Sequence, residues 1–241
     1  MMRSIPPIAS AISACSGWSP DTQDARFRMT QTAVIDNPTQ TNKSVRQPPA
    51  DKFHARRAEL AEAALETLGE LGYARTSLRE IAQKSEFTHG VLHYYFTDKL
   101  DLITCSIRHY KAKCVTRYDA VIASAQTREE LLEGFIDRLS ETIREEPRMH
   151  CLWYDLRSQA LFEDGFRGDV AEIDHNLEDM VWRIMSRYAE LGGREPMISS
   201  SALYALFDGL FQQYLLRHVS NDPDAVPELL QEVRRLMPMV G

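Results

Sequence analysis

Residues 77–96 read SLREIAQKSEFTHGVLHYYF, and this stretch decides the fold. Ser77, with Glu80 three residues later, has the spacing of a capping box. Leu78, Ile81 and Ala82 then recur at helical spacing, and the short helix they predict ends near Lys84. Ser85-Glu86-Phe87-Thr88 forms a turn, and Thr88 can cap a second short helix from about His89 to Phe96. Leu78, Ile81, Ala82, Phe87 and Leu92 supply an anchoring apolar side, and the small Ala82 lets the two helices approach closely. This is a helix-turn-helix pattern, whose second helix can project its outer side chains into a DNA major groove. The outer residues are Thr88, His89, Val91, His93 and Tyr94, while Gly90 presents no side chain and lets the backbone approach a partner. A helical hairpin with no nucleic-acid role has the same apolar pattern, so the flanking sequence matters.

The flanks are helical too. Phe53, Leu60, Ala61, Ala64, Leu65, Leu68 and Leu71 share one face of a preceding helix, and Gly72 stands where a left-handed terminal residue belongs. Downstream, Thr97-Asp98 caps a long helix carrying Leu102, Ile103, Ile107, Tyr110, Cys114 and Tyr118 on its inner side. Further helices are expected at about 128–145, 148–162, 167–191, 197–219 and 224–237, punctuated by Pro147, Gly165, Gly192-Gly193, Pro196 and Pro223. No strand-like alternation and no unbroken apolar run of about 18 residues occur, which predicts an all-α protein without a membrane span. The expected division is a disordered tail over 1–50, a helix-turn-helix domain over 51–97 and a larger helical domain over 98–241.

The tail is rich in Ser, Thr, Pro, Gln and Asn. Arg3, the apolar stretch from Ile5 to Ile12 and then Cys15 outline a lipoprotein signal, but Pro6, Pro7 and Ser10 interrupt it. Translation from Met29 is the alternative, and a cytoplasmic location is expected. The 241 residues include four scattered cysteines with no CxxC pair, the pattern of reduced thiols. Charge is unevenly spread: residues 1–50 carry five basic and three acidic side chains, 51–113 ten and nine, and 114–241 thirteen and twenty-three. A DNA-contacting face therefore belongs in the first half of the chain.

Gly72-Tyr-Ala-Arg-Thr76-Ser-Leu-Arg-Glu-Ile-Ala, Thr88-His-Gly-Val-Leu and Tyr94-Tyr-Phe-Thr-Asp-Lys99-Leu-Asp-Leu-Ile together resemble the DNA-binding domain of the TetR family of transcriptional regulators, over about 52–105. The chain departs from the family pattern at Ser85-Glu86, where Ala-Gly is frequent, and at His93, where Tyr is usual. The resemblance implies phosphate contacts from Ser77, Tyr94, Tyr95 and Lys99. It implies base-edge positions for Arg79, His89, Val91 and His93, with Thr88 and Gly90 on the same face. Arg79 suits a bidentate guanine contact because its planar fork matches O6 and N7. The resemblance further implies a homodimer on an inverted-repeat double-stranded operator, and a C-terminal half that binds a small organic ligand and forms the dimer. A repressor released by that ligand is the function expected; a helical small-molecule binding protein without DNA binding is the alternative.

Met149, Trp153, Tyr154, Arg157, Phe162, Phe166, His175 and Trp182 are the candidate ligand residues, a mostly apolar set with a few polar anchors. Leu203, Leu206, Phe207, Leu210, Phe211 and Tyr214, with Leu229, Leu230 and Val233 after Pro223, are the candidate dimer residues. The first group comes from a helix apolar on more than one face, which leaves one stripe for the core and one for a partner. His89 and His93 have a metal-compatible i, i+4 spacing, but no third ligand stands nearby in the sequence, and His150-Cys151 is isolated. No P-loop, dinucleotide fingerprint or nucleophile elbow occurs, so neither cofactor, metal nor enzymatic activity is expected.

Overall fold

The computed structural model describes residues 50–241, so the expectations for the tail lie outside the described residues, save at its last residue. Among the described residues there are ten helices and no strand. They are α1 (Ala50–Leu71), α2 (Leu78–Lys84), α3 (His89–Tyr95), α4 (Lys99–Cys114) and α5 (Asp119–Ser124), then α6 (Arg128–Glu145), α7 (Pro147–Gln159), α8 (Asp164–Leu191), α9 (Ser200–Val219) and α10 (Ala225–Val240).

The local chemistry read from the sequence sets these boundaries. Ser77, Thr88 and Asp98 are the N-caps of α2, α3 and α4, and each side chain accepts a hydrogen bond from the backbone N–H three residues on. Gly72 closes α1 at φ +70°. A Cβ there would lie 3.2 Å from Asp155 Oδ2, so both the backbone and the space favour glycine. Two boundaries differ from expectation. The long helix expected to run through Tyr118 stops at Cys114, and a turn with the short α5 follows. The helix expected to reach residue 162 stops at Gln159, which leaves Leu161 and Phe162 in an exposed turn.

α2 and α3 pack on α1, α1 packs along α4, and α7 lies between α1 and α9. The core has two connected parts. One, built by α6, α8, α9 and α10, includes Leu131, Ile136, Ile143, Met185, Leu203, Leu215, Val226 and Leu229. The other joins Leu60, Leu68, Ile81, Leu92 and Phe96 to Leu102, Ile103, Trp153, Leu156, Phe166 and Val170. The division expected after residue 97 therefore cuts through a shared core. An ion pair reinforces the seam: Arg57 Nη2 lies 2.5 Å from Asp101 Oδ1, its Nη1 donates to the Tyr95 carbonyl at 3.0 Å, and its guanidinium covers the Phe96 ring.

Candidate functional site

The helix-turn-helix leaves one side of α3 open. Thr88, His89, Gly90, His93 and Tyr94 are exposed, and a Cβ placed on Gly90 would touch nothing within 4 Å. His89 and His93 stack edge to face with their Nε2 atoms 3.1 Å apart. Arg79, on α2, is exposed and makes no hydrogen bond or ion pair among the described residues. Its neighbours Arg56 and Lys84, by contrast, pair with Glu59 and Glu70. Ser77 is committed to its capping bond.

Three of the expected DNA contacts are placed differently. Val91 is half-buried against the shared core and does not face outward as a base-reading residue, because α3 needs an apolar side to dock on α1. Tyr95 is half-buried in the same core and packs on Phe53 and Tyr94 at ring distances of 5.0 and 4.9 Å. Lys99 is engaged within the chain: its Nζ donates to the Tyr73 carbonyl at 3.0 Å and lies 3.9 Å from that ring's centroid.

Tyr73, in the turn between α1 and α2, links this face to the rest of the molecule. Its backbone N–H donates to Asp155 Oδ2 at 2.7 Å, its hydroxyl to Glu163 at 2.9 Å, and its ring meets Phe166 edge to face. Asp155 belongs to α7, which also carries Trp153 and Tyr154 into a partly open chamber of about 100 Å3.

The chamber wall combines Lys111 and Cys114 of α4, Phe135 and Leu139 of α6, and His150, Trp153 and Tyr154 of α7. Leu177 and Met180 of α8, Tyr204, Phe207, Asp208 and Phe211 of α9, and Leu229 and Val233 of α10 complete it. Its polar groups are mostly paired. Asp208 binds the Arg157 guanidinium and accepts from the Tyr154 hydroxyl at 2.9 Å. Asp174 accepts from the Tyr204 hydroxyl at 2.6 Å and lies 3.3 Å from Arg157 Nε. Burial, then the neighbouring carboxylate charge, pushes the Tyr154 and Tyr204 hydroxyls up, so both remain protonated donors. Arg117 Nη2 pairs with Glu146 at 2.6 Å, and the Tyr110 hydroxyl donates to the same carboxylate at 2.8 Å while lying 3.2 Å from His150 Nε2. Burial, reinforced by the Lys111 and Arg117 charges, holds the His150 imidazole well below its usual range, and the ring is neutral.

Of the candidate ligand residues, Trp153 and Tyr154 line this chamber, and Arg157 stands behind it on Asp208. The others do not. Met149 packs against Gly69 of α1. Phe162 is 82% exposed in the turn after α7. Phe166 is sealed in the shared core under Tyr73, and His175 points to solvent beside Asp179 with 71% of its side chain exposed. Trp182 packs half-buried on the outer part of the bundle. Lys111, His150, Tyr204 and Asp208 escaped the sequence reading because they come from three helices and converge only when those helices pack. The signal present was a lysine on the apolar side of α4.

The candidate dimer residues also divide. Leu203, Phe207, Tyr214, Leu229 and Val233 are buried within one chain, where they fill the core or the chamber wall, so they are not available to a partner. Phe211 is half-buried and faces His150 at a ring distance of 4.8 Å. Leu206 is exposed, and Leu210 and Leu230 are half-exposed. Leu216 and Val219, which the sequence reading left out, are 67% and 43% exposed.

The family described as bacterial regulatory proteins, tetR family, matches residues 60–104. The HTH-type transcriptional regulator BetI of Burkholderia thailandensis is 28% identical over 160 residues, 65% of this chain and 80% of that protein. The BetI of Paraburkholderia phymatum is 27% identical over 180 residues, 73% of this chain and 88% of its own length. A TetR transcription regulator of Haloarcula marismortui shares the fold with a TM-score of 0.63 at 19% identity, over 77% of this chain and 98% of that one. FadR of Bacillus subtilis, solved in complex with stearoyl-CoA, superposes with a TM-score of 0.61 at 19% identity, over 74% of this chain and 96% of its own. These relatives are described as regulators rather than enzymes.

Proposed function

From the premise that the chain belongs to the TetR family of bacterial regulatory proteins, and is a DNA-binding regulator controlled by a ligand, we propose that it is a cytoplasmic, non-enzymatic repressor. It acts as a homodimer on an inverted-repeat operator and leaves it when a small organic molecule enters the chamber. The observation that carries this reading is the exposed outer side of α3 beside an unpaired Arg79. An exposed guanidinium without an internal partner is free to grip a base edge or phosphate. No described helix is long and apolar enough to cross a membrane.

A ligand that occupies the chamber in the DNA-free state more favourably than in the DNA-bound state must weaken DNA binding by that difference. α7 supplies the connection, since Trp153 and Tyr154 touch the chamber while Asp155 holds Tyr73. A shift of α7 by a fraction of an ångström moves the turn that orients α2 and α3. The complex of FadR, a regulator of the same fold, with stearoyl-CoA supports control by an organic ligand.

The test is a titration of the full chain against its own upstream DNA at several salt concentrations. The expected result is tight, sequence-selective binding whose logarithm falls linearly with the logarithm of salt. Failure on that DNA and on a randomised duplex library alike would replace this reading with a helical binding protein.

A further inference from the structure

Lys111 is the chamber's unmatched charge. The residue is only 5% exposed, and its ammonium has no hydrogen bond or ion pair among the described residues. It rests instead 5.2 Å from the Trp153 ring centroid and 5.5 Å from that of Tyr110. The cations around it are occupied, Arg117 by Glu146 and Arg157 by Asp208 and Asp174. The Lys111 side chain lines the chamber with no acceptor for its ammonium. A charged donor without a partner, largely removed from water, carries a desolvation cost. The carboxylates nearby already serve other groups.

We propose that the chamber takes a small organic carboxylate, its acid group held by Lys111 Nζ and its apolar body against Phe135, Leu177, Met180 and Phe207. A cationic ligand would meet Lys111 at like charge, with the nearby carboxylates already paired. The chamber holds about 100 Å3, less than the cavities of roughly 150 Å3 that admit benzene, so it suits a short-chain acid, and a ring-sized one must extend through its open side. Burial lowers the lysine from its usual range, and a bound carboxylate would raise it again. The proposal rests on the regulator reading only for the consequence of occupancy; binding itself needs no DNA.

The test titrates the full chain with benzoate, phenylacetate and hexanoate, each against its neutral amide, and with benzyltrimethylammonium, following melting temperature and tryptophan fluorescence. At least one acid should bind about tenfold or more tighter than its amide, the size of a charge-assisted hydrogen bond. Lys111→Met should abolish that acid-over-amide preference while leaving the ligand-free melting temperature unchanged or raised, because it removes an unpaired buried charge.

Equal binding of acids and amides, preference for the ammonium, or no binding of any acid at millimolar concentration each overturns the proposal. So does an undiminished acid preference in Lys111→Met. The comparison in the unmodified protein stands even if a variant fails to fold. Acid binding that leaves operator affinity unchanged would instead fail the release reading and keep the site. Operator release by a neutral or cationic probe alone would keep the release reading and sink the site.

Discussion

Arg79 and Lys99 are both cations beside the α2–α3 pair, and the structure gives them unequal freedom. Arg79→Ala removes a side chain with no internal partner, so the melting temperature should stay within about 1 °C while cognate operator binding weakens by about 1–3 kcal/mol. Preference should relax at one base pair per half-site. Lys99→Ala removes the clamp on Tyr73 and should lower the melting temperature as well as DNA affinity. Thermal melts paired with binding titrations separate the two, and an Arg79→Ala protein that binds like its parent would remove α2 from the reading surface. The buried His150 predicts a pH response. Its folded pKa is depressed, first by burial and then by Lys111 and Arg117, so its contribution is intact above the unfolded value of about 6.5 and is lost as pH falls below that value toward the folded pKa. The facing groups are Lys111, Arg117, Tyr110 and Glu146, and Glu146, whose pKa is lowered by Arg117 and Tyr110, adds its own loss only at more acidic pH. Lys111, also depressed, has the same sign from a higher starting pH. His150→Gln should flatten the stability slope just below pH 6.5, by up to about 1.4 kcal/mol per pH unit at full effect. An unchanged slope in urea melts would show that His150 is not the group responsible.

At the scale of elements, α7 is where the chamber and the DNA-reading face meet. Asp155→Ala removes the acceptor of the Tyr73 N–H without touching the chamber or α3. Ligand binding should persist, operator binding should remain within a few fold, and release of the operator by ligand should be blunted. Full release in this variant would put the coupling elsewhere. α3 carries a second expectation. Gly90 lies inside the helix with open space where a Cβ would stand, so Gly90→Ala should stabilise by up to about 1 kcal/mol. Loss of DNA affinity in the same variant would show that the missing side chain admits the backbone to DNA. What the sequence revealed at this scale follows from distance along the chain. Ser77, Thr88, Asp98 and Gly72 act on neighbours within a few residues, so the boundaries of α2, α3 and α4 were legible. Val91 was misread because helical spacing does not say how far α3 is rotated against α1. The chamber was read from the densest aromatic stretch, 149–182, yet of its Phe, Tyr and Trp residues only Trp153 and Tyr154 line the chamber. Lys111 and Asp208 lie about a hundred residues apart, and no local pattern brings them together.

For the whole molecule, the same mixture decides the proposed dimer. α9 is apolar on more than one face, but Leu203, Phe207, Tyr214 and Leu215 are used up inside one chain. The outer stripe of Leu206, Gly209, Gln213 and Leu216 remains, and a Cβ on Gly209 would meet nothing within 4 Å, which allows close approach of a second helix. Leu206→Glu together with Leu216→Glu should place charges in that seam and convert a dimer to monomer on light scattering, with the helical content unchanged. A normal dimer would exclude this stripe. A monomer would also lose most operator affinity, since each half-site would then be held alone.

The core shared across residue 97 has a consequence for recombination. Regulators built from separable parts can trade DNA specificities by cutting between them, and the natural place to cut here is the Thr97-Asp98 turn. A chimera joined there would keep Leu60, Leu92 and Phe96 but meet foreign residues in place of Leu102, Ile103, Trp153 and Phe166. It would also lose the Arg57–Asp101 and Tyr73–Asp155 pairings unless the recipient supplied both carboxylates. A productive exchange must therefore carry α4 and the inner side of α7 along with the DNA-reading helices, or else alter only the outward side chains of α2 and α3.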